Sequence, residues 1–256
     1  MKNLFDLTGK TALITGSTSG MGKAIAHAMG IHGAKVVVSS NEPDAVKKTV
    51  EEFQNLNIEV LGLPCDLSQK EEIEWLVQET IQAFGKIDIL VNCVGMAPVG
   101  SFLEINQENF EKTMSLNLQS AIYLSKLIIP SMQAQKDGVI IYLASIAGVR
   151  GNKYLGLYGI SKAGLIELAR NLAVEFGPDN IRVNTISPGM INTAFSESLM
   201  RNKVFMKKRL AQTPLRKVGE VDEVAGVAVM LASKAGGFIT GQNIIVDGGT
   251  TISDGN

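Results

Sequence analysis

Thr11-Ala12-Leu13-Ile14-Thr15-Gly16-Ser17-Thr18-Ser19-Gly20-Met21-Gly22 is the stretch on which the fold turns. An apolar run of strand length passes straight into a turn carrying three glycines, and a helical pattern, Gly22–His32, follows. This strand, glycine turn and helix form the context that a dinucleotide fingerprint requires. Gly16 permits a tight turn, Gly20 lets backbone approach a pyrophosphate, and Gly22 lets helix and strand pack closely. Ser19 and Met21 flank Gly20 where the helix begins, and its unpaired N–H groups and partial positive charge suit a phosphate. The spacing is Gly-x3-Gly-x-Gly, not Gly-x-Gly-x2-Gly.

Outward from that turn, short apolar runs alternate with helical ones. Strands are expected at Thr11–Ile14, Lys35–Val38, Ile58–Leu63, Ile87–Asn92, Gly138–Ala144, Ile181–Ile186 and Asn243–Val246. Helices are expected at Gly22–His32, Asp44–Asn55, Lys70–Phe84, Gln107–Gln133, Tyr158–Phe176 and Val221–Ser233. Unbroken Val/Ile/Leu runs suit strands buried on both faces. Their alternation with helices implies a parallel sheet with right-handed crossovers. The expectation is an α/β fold: one doubly wound, Rossmann-type sheet of about seven strands with helices on both faces. No linker or repeat interrupts the 256 residues, so a single domain is expected over 1–256. One irregular stretch, Ser187–Thr213, carries Met190, Ile191, Phe195, Leu199, Met200, Val204, Phe205 and Met206. It reads as a helical insertion that either covers core or forms a lid over a substrate.

Composition narrows the partners. Hydrophobic residues make up 45% and charged residues 19%, with a net charge of -1. That balance gives no general attraction to nucleic acid or an anionic membrane. Lys207, Lys208 and Arg209 form only a short run that reads as a solvated helix face. Cys65 and Cys93 lack metal-ligand spacing and read as free thiols in a reducing compartment. The first sixteen residues are not a signal peptide, and no apolar run spans a bilayer, so a cytoplasmic location is expected. No metal is expected.

At the nucleotide end, Ser40 and Asn41 follow the second strand. No carboxylate stands at Ser40 to bind a ribose 2′-OH, and no arginine stands at Asn41 to clamp a 2′-phosphate. The small polar pair tilts the choice toward NADP(H), Glu42 argues the other way, and NAD(H) stays open. Asp66 reads either as a carboxylate at the adenine or as an Asx turn before the third helix. At the catalytic end, Tyr158-Gly159-Ile160-Ser161-Lys162 puts a phenol and an amine on one helix face. An ammonium beside a phenol favours its ionised form, which would suit it to acid/base work on a carbonyl. Ser145 closes a strand thirteen residues earlier and can hydrogen-bond a substrate oxygen.

Together these motifs resemble the short-chain dehydrogenase/reductase family in its Tyr-x3-Lys branch, 3-oxoacyl-reductase-like, and the resemblance to the family covers essentially the whole chain. The matching residues run in order through the glycine turn, Asp66-Leu67, Asn92-x2-Gly95, Asn117, Ser145, Tyr158-x3-Lys162, Pro188-Gly189-x-Ile191-x-Thr193 and Asp247-Gly248-Gly249. The resemblance implies that Tyr158 is the proton donor/acceptor and that Lys162 lowers its pKa and binds the nicotinamide ribose. It implies that Ser145 orients the carbonyl and that Asn117 bends its helix and holds a water in the proton relay. Thr193 would bind the nicotinamide amide or pyrophosphate, and Asp66 and Asn92 would line the adenosine side. The usual Asn-Asn-Ala-Gly is Asn92-Cys93-Val94-Gly95 here. The implied reaction interconverts a ketone and a secondary alcohol with NAD(P), on a mainly apolar substrate. An acyl-carrier thioester substrate is the alternative, and a non-catalytic nucleotide sensor a more distant one. The resemblance also implies a homotetramer or homodimer through the Gln107–Gln133 and Tyr158–Phe176 helices.

Overall fold

The computed structural model describes residues 3–254. Seven strands form one parallel sheet: β1 (Thr11–Thr15), β2 (Lys35–Ser39), β3 (Val60–Gly62), β4 (Ile89–Asn92), β5 (Gly138–Leu143), β6 (Ile181–Pro188) and β7 (Asn243–Val246). Their spatial order is β3-β2-β1-β4-β5-β6-β7. The chain winds outward one way from β1 and then the other way from β4. Between β1 and β4 the order reverses, and open α/β sheets bind ligands at such a reversal.

Alternate side chains sort the core into two layers. Ala12, Ile14, Val36 and Val38 face α1 (Gly20–Ile31), α2 (Pro43–Gln54) and the later helix Val221–Ala232. Leu13, Val37, Leu90 and Ile140 face α3 (Lys70–Phe84) and the helices Ser120–Gln135 and Gly156–Phe176. Every residue of β1 is buried, as a strand covered on both faces demands.

Some boundaries differ from expectation. The helix expected over Gln107–Gln133 is three pieces: α4 (Gln107–Met114), a π-turn (Ser115–Gln119) and α5 (Ser120–Gln135). The widened turn holds Asn117, the residue expected to bend its helix. β3 shrinks to three residues because it lies at the sheet edge, with β2 as its neighbour. β6 runs on through Ser187 and Pro188, which pair with Ile245 and Val246 of β7, so the insertion begins later than Ser187. Beyond α6 (Gly156–Phe176) it contains α7 (Glu197–Met200) and α8 (Lys203–Ala211) before α9 (Val221–Ala232). No residue of α8 is buried, so this part does not cover core. Among the described residues no helix is long and apolar enough to cross a membrane.

At the sheet edge opposite the cleft, Asp88 holds three strands together. Its buried carboxylate accepts from Thr11 N at 2.8 Å and Lys86 Nζ at 2.8 Å, with Lys10 Nζ at 3.6 Å. Its backbone carbonyl accepts from Val139 N of β5 at 2.9 Å. Asp88→Ala strands the buried Thr11 N–H. Because both lysines are partly exposed, the expected loss is about 2 kcal/mol. Urea denaturation should show a lower midpoint at unchanged slope; an unmoved midpoint would refute this role.

Candidate active site

The glycine turn is built by close approach. A Cβ on Gly22 would stand 2.1 Å from the Gly16 carbonyl oxygen, so no side chain fits there. Gly16 and Gly20 have φ of 62° and 52°, which glycine adopts at little cost. Ser19 is the N-cap of α1 but makes no side-chain cap bond, and the first turn holds no acidic residue. The leading N–H groups of α1 are therefore left for an anion.

This turn opens on a cleft of about 660 Å³. Gly16, Ser19, Gly20, Met21, Gly22, Ser40, Asn41, Asp66, Leu67, Gly95, Tyr158, Lys162 and Thr193 line it. Asp66 lines the wall, and its Oδ1 accepts from Ser68 N at 2.9 Å, which makes the expected Asx turn. Thr193 closes over Gly20, its Cγ2 3.4 Å from where a Gly20 Cβ would be. Glu42 is exposed and does not line the cleft.

Four residues expected near the cofactor lie beneath the cleft. Asn92 is 2% exposed, and its Oδ1 accepts from the Thr15 hydroxyl at 3.0 Å and faces Val94 N at 3.4 Å. It ties β1 to β4 and does not line the adenosine side, because strand pairing turns its side chain inward. Pro188 and Gly189 pack on β7: a Gly189 Cβ would meet Asp247 Cβ at 2.7 Å. Ile191 is core. These three aim the chain toward Thr193. α4 and the π-turn also supply cleft wall through Glu111, Lys112, Ser115 and Leu116, which no local pattern signals.

At the catalytic end the Asn117 amide clamps two elements. Its Oδ1 accepts from Met96 N at 2.8 Å, and its Nδ2 donates to Met96 O and to Ser161 Oγ, each at 2.9 Å. Ser161 then donates to the Tyr158 carbonyl at 2.8 Å. Ser161 sits inside the Tyr158–Lys162 motif, yet its linking role is visible only in the fold. Gly95 lies between the two polar groups: a Cβ there would meet Lys162 Nζ at 3.1 Å and Asn117 Oδ1 at 3.3 Å. Ser145 caps a short 3-10 turn, accepting from Ala147 N at 3.1 Å, and its hydroxyl interacts with the Tyr158 phenol.

Electrostatics here run against the expectation that the lysine lowers the tyrosine pKa. Burial pushes the Tyr158 phenol above its ordinary value, and the Ser145 hydroxyl opposes that rise. Lys162 Nζ donates to Leu143 O at 2.8 Å and lies 5.7 Å from the Tyr158 ring centroid. Burial without a carboxylate partner holds its ammonium down to about 8. Desolvation thus dominates at both groups. The Cys93 thiol in the cleft wall is pushed up to about 11 by burial, which keeps it protonated and a poor nucleophile. Both histidines are packing residues: His27 lies against Phe53 and His32 against Phe5.

A phosphate cradle and a buried phenol–amine pair at two ends of one cleft, at the switch point of a doubly wound sheet, are the parts of a nicotinamide-dependent oxidoreductase. Comparison with known proteins agrees. Residues 16–251 match the family model described as "Enoyl-(Acyl carrier protein) reductase". A tropinone reductase homolog of Arabidopsis thaliana is 38% identical over 250 residues, 97% of this chain and 95% of the relative. Human dehydrogenase/reductase SDR family member 4 is 35% identical over 245 residues, 95% of this chain and 88% of the relative. A solved short-chain type dehydrogenase/reductase from Mycobacterium marinum is 33% identical with a TM-score of 0.91, covering 97% of this chain and 98% of that one. A gluconate 5-dehydrogenase from Burkholderia cenocepacia, in complex with NADP and tartrate, is 26% identical with a TM-score of 0.94, covering 98% of each chain. The chain belongs to the short-chain dehydrogenase/reductase family. It is an NAD(P)-dependent enzyme interconverting CH–OH and C=O.

The lysine has a measurable consequence. Below pH 8 it is charged in both folded and unfolded chains, and the burial penalty is fully present. Between pH 8 and 10.5 the folded chain gives up its proton first, so stability rises with pH. At about 1.4 kcal/mol per pH unit the gain is about 3 kcal/mol. Lys162→Met should be more stable than the parent at pH 7, without cofactor, and should lack this rise. Thermal unfolding across pH 7–10 checks it; parallel profiles would refute it.

Proposed function

We propose that this enzyme uses NADP(H) to interconvert a mainly apolar ketone and its secondary alcohol, with Tyr158 as acid/base. The observation that carries the reading is Tyr158 and Lys162 lining the same cleft as the uncapped start of α1. Gly20, Met21 and Gly22 would hold the pyrophosphate, and Asp66 and Leu67 the adenine side. Lys162 and Thr193 would hold the nicotinamide end. When bound, the nicotinamide supplies or accepts the hydride.

The chain's own groups handle the oxygen and its proton. Ser145 presents its hydroxyl to the substrate carbonyl beside the phenol. Tyr158 gives its proton to the oxygen during reduction, and its raised pKa keeps that proton available at neutral pH. Asn117 and Ser161 fix the helical turn from which Tyr158 projects, and Asn117 would hold the relay water. Val94, Met96, Leu143, Ala144 and Phe195 make this end apolar and exclude water. The description of the matching family model names enoyl reduction, yet tyrosine and lysine four apart favour carbonyl chemistry, and Tyr-x6-Lys is absent.

NADP(H) is favoured because Ser40 and Asn41 line the cleft after β2 while Glu42 does not. The NADP-bound gluconate 5-dehydrogenase neighbour points the same way. Exposed Lys203, Lys207 and Lys208 on α8 favour an acyl-carrier thioester as the second reading. Free Cys65 and Cys93 support a reducing, cytoplasmic setting. Exposed Ile122, Ile160, Val174 and Phe238 support a homotetramer or homodimer, and a monomer in sedimentation would overturn that.

Initial rates with NADPH and NADH over simple ketones and acyl-carrier thioesters test the whole reading. NADPH should give the higher kcat/KM, and an NADH preference would overturn the cofactor choice. Tyr158→Phe should bind cofactor normally and lose at least about 100-fold in kcat. Turnover near the parent's would remove Tyr158 from its role.

A further inference from the structure

One large apolar side chain of the cleft stands mostly uncovered. Phe195 lines the cleft yet is 61% exposed. Its ring lies beside the acid/base: the Phe195 and Tyr158 centroids are 6.5 Å apart, with the planes tilted by 41°. Ring pairs at such a separation attract one another. A lone apolar residue on an outer surface needs no explanation. This one faces the cleft next to the reacting phenol, where aromatic walls receive ligand.

The backbone that carries Phe195 is pinned. Ala194–Ser196 form a single 3-10 turn, and Ser196 is 8% exposed. The Ser196 hydroxyl donates to Ile191 O at 2.5 Å, and its N–H donates to Thr193 O at 3.1 Å. Ile191 is core, and the residues on either side of it clasp Gly219. Gly219 N donates to Met190 O at 3.0 Å, and Asn192 N donates to Gly219 O at 2.8 Å. The position of Phe195 is thus fixed from behind while most of its ring surface stays open.

We propose, on the ketone/alcohol reading above, that Phe195 is a specificity-determining residue: it receives the larger apolar substituent of the ketone and so sets the hand of the alcohol. Ser145 and Tyr158 hold the carbonyl oxygen, and the hydride arrives from the side where Lys162 and Thr193 hold the nicotinamide. With both directions fixed, the two substituents can only exchange places, and the exchange turns the opposite face of the carbonyl to the hydride. In either orientation the carbon gains a hydride with its electron pair from NADPH. The C=O π pair moves to the oxygen, and the oxygen takes the Tyr158 proton, leaving NADP+ and the alcohol. Phe195 stands beside Tyr158, so it meets one substituent and not the other. A long alkyl chain on its ring removes more apolar surface from water than a methyl does.

Reduction of methyl alkyl ketones from 2-butanone to 2-octanone with NADPH, followed by chiral gas chromatography, tests this role. The parent's enantiomer ratio should climb along the series to about tenfold or more at 2-octanone. In Phe195→Ala it should fall to about threefold or less, and Phe195→Leu, which restores an apolar wall, should recover most of it. Turnover of the symmetrical 3-pentanone at unchanged NADPH affinity shows that each variant is folded and loaded. A ratio in Phe195→Ala equal to the parent's, or a near-racemic product from the parent, overturns the role of Phe195 and leaves the ketone reading standing. No turnover of any ketone by the parent with either NADPH or NADH overturns that reading, and the role of Phe195 with it.

Discussion

The approach of Gly22 to the Gly16 carbonyl, 2.1 Å from where a Cβ would stand, sets the geometry on which the nucleotide end depends. It brings the start of α1 down onto the end of β1. The leading N–H groups then point into the reversal between β1 and β4, where the sheet offers a ready crevice. Thr15, the last residue of β1, continues the same arrangement by reaching Asn92 on β4. The floor of the cleft is held by strand-to-strand hydrogen bonds and its mouth by a helix end.

A different device builds the catalytic end. Lys162 is enclosed without a counter-charge, and Tyr158 is raised by the same enclosure. What fixes them is the Asn117 amide, which joins the loop after β4 to α6 through Met96 and Ser161. The π-turn puts Asn117 in reach of both. Backbone irregularity inside a helix costs regular hydrogen bonding, and here that cost is offset by a three-way clamp at the site of chemistry.

Local pattern carried much of this into the sequence. β1, the glycine turn and Tyr158-x3-Lys162 are contiguous, so their roles can be inferred from spacing. A parallel sheet with helices on both faces followed from alternation of strand and helix. The rest depends on long-range contact. Asn92 and Ile191 carry motif identities but are turned inward by strand pairing and packing. Ser161 looks like a spacer until Asn117, 44 residues away, meets it. The direction of the Tyr158 pKa could not be read from a helical wheel, because burial depends on every surrounding element. Arg209 looked solvated because the partial burial of its side chain is decided by elements distant in the chain.

Helix α8 contributes nothing to the core, whereas Asn117 and Lys162 are buried within it. Substitutions on α8 therefore meet little resistance from folding. Over generations, this outer surface can drift while the cleft beneath keeps its shape. Such separation lets one scaffold accumulate a broad repertoire of substrates from a fixed chemistry.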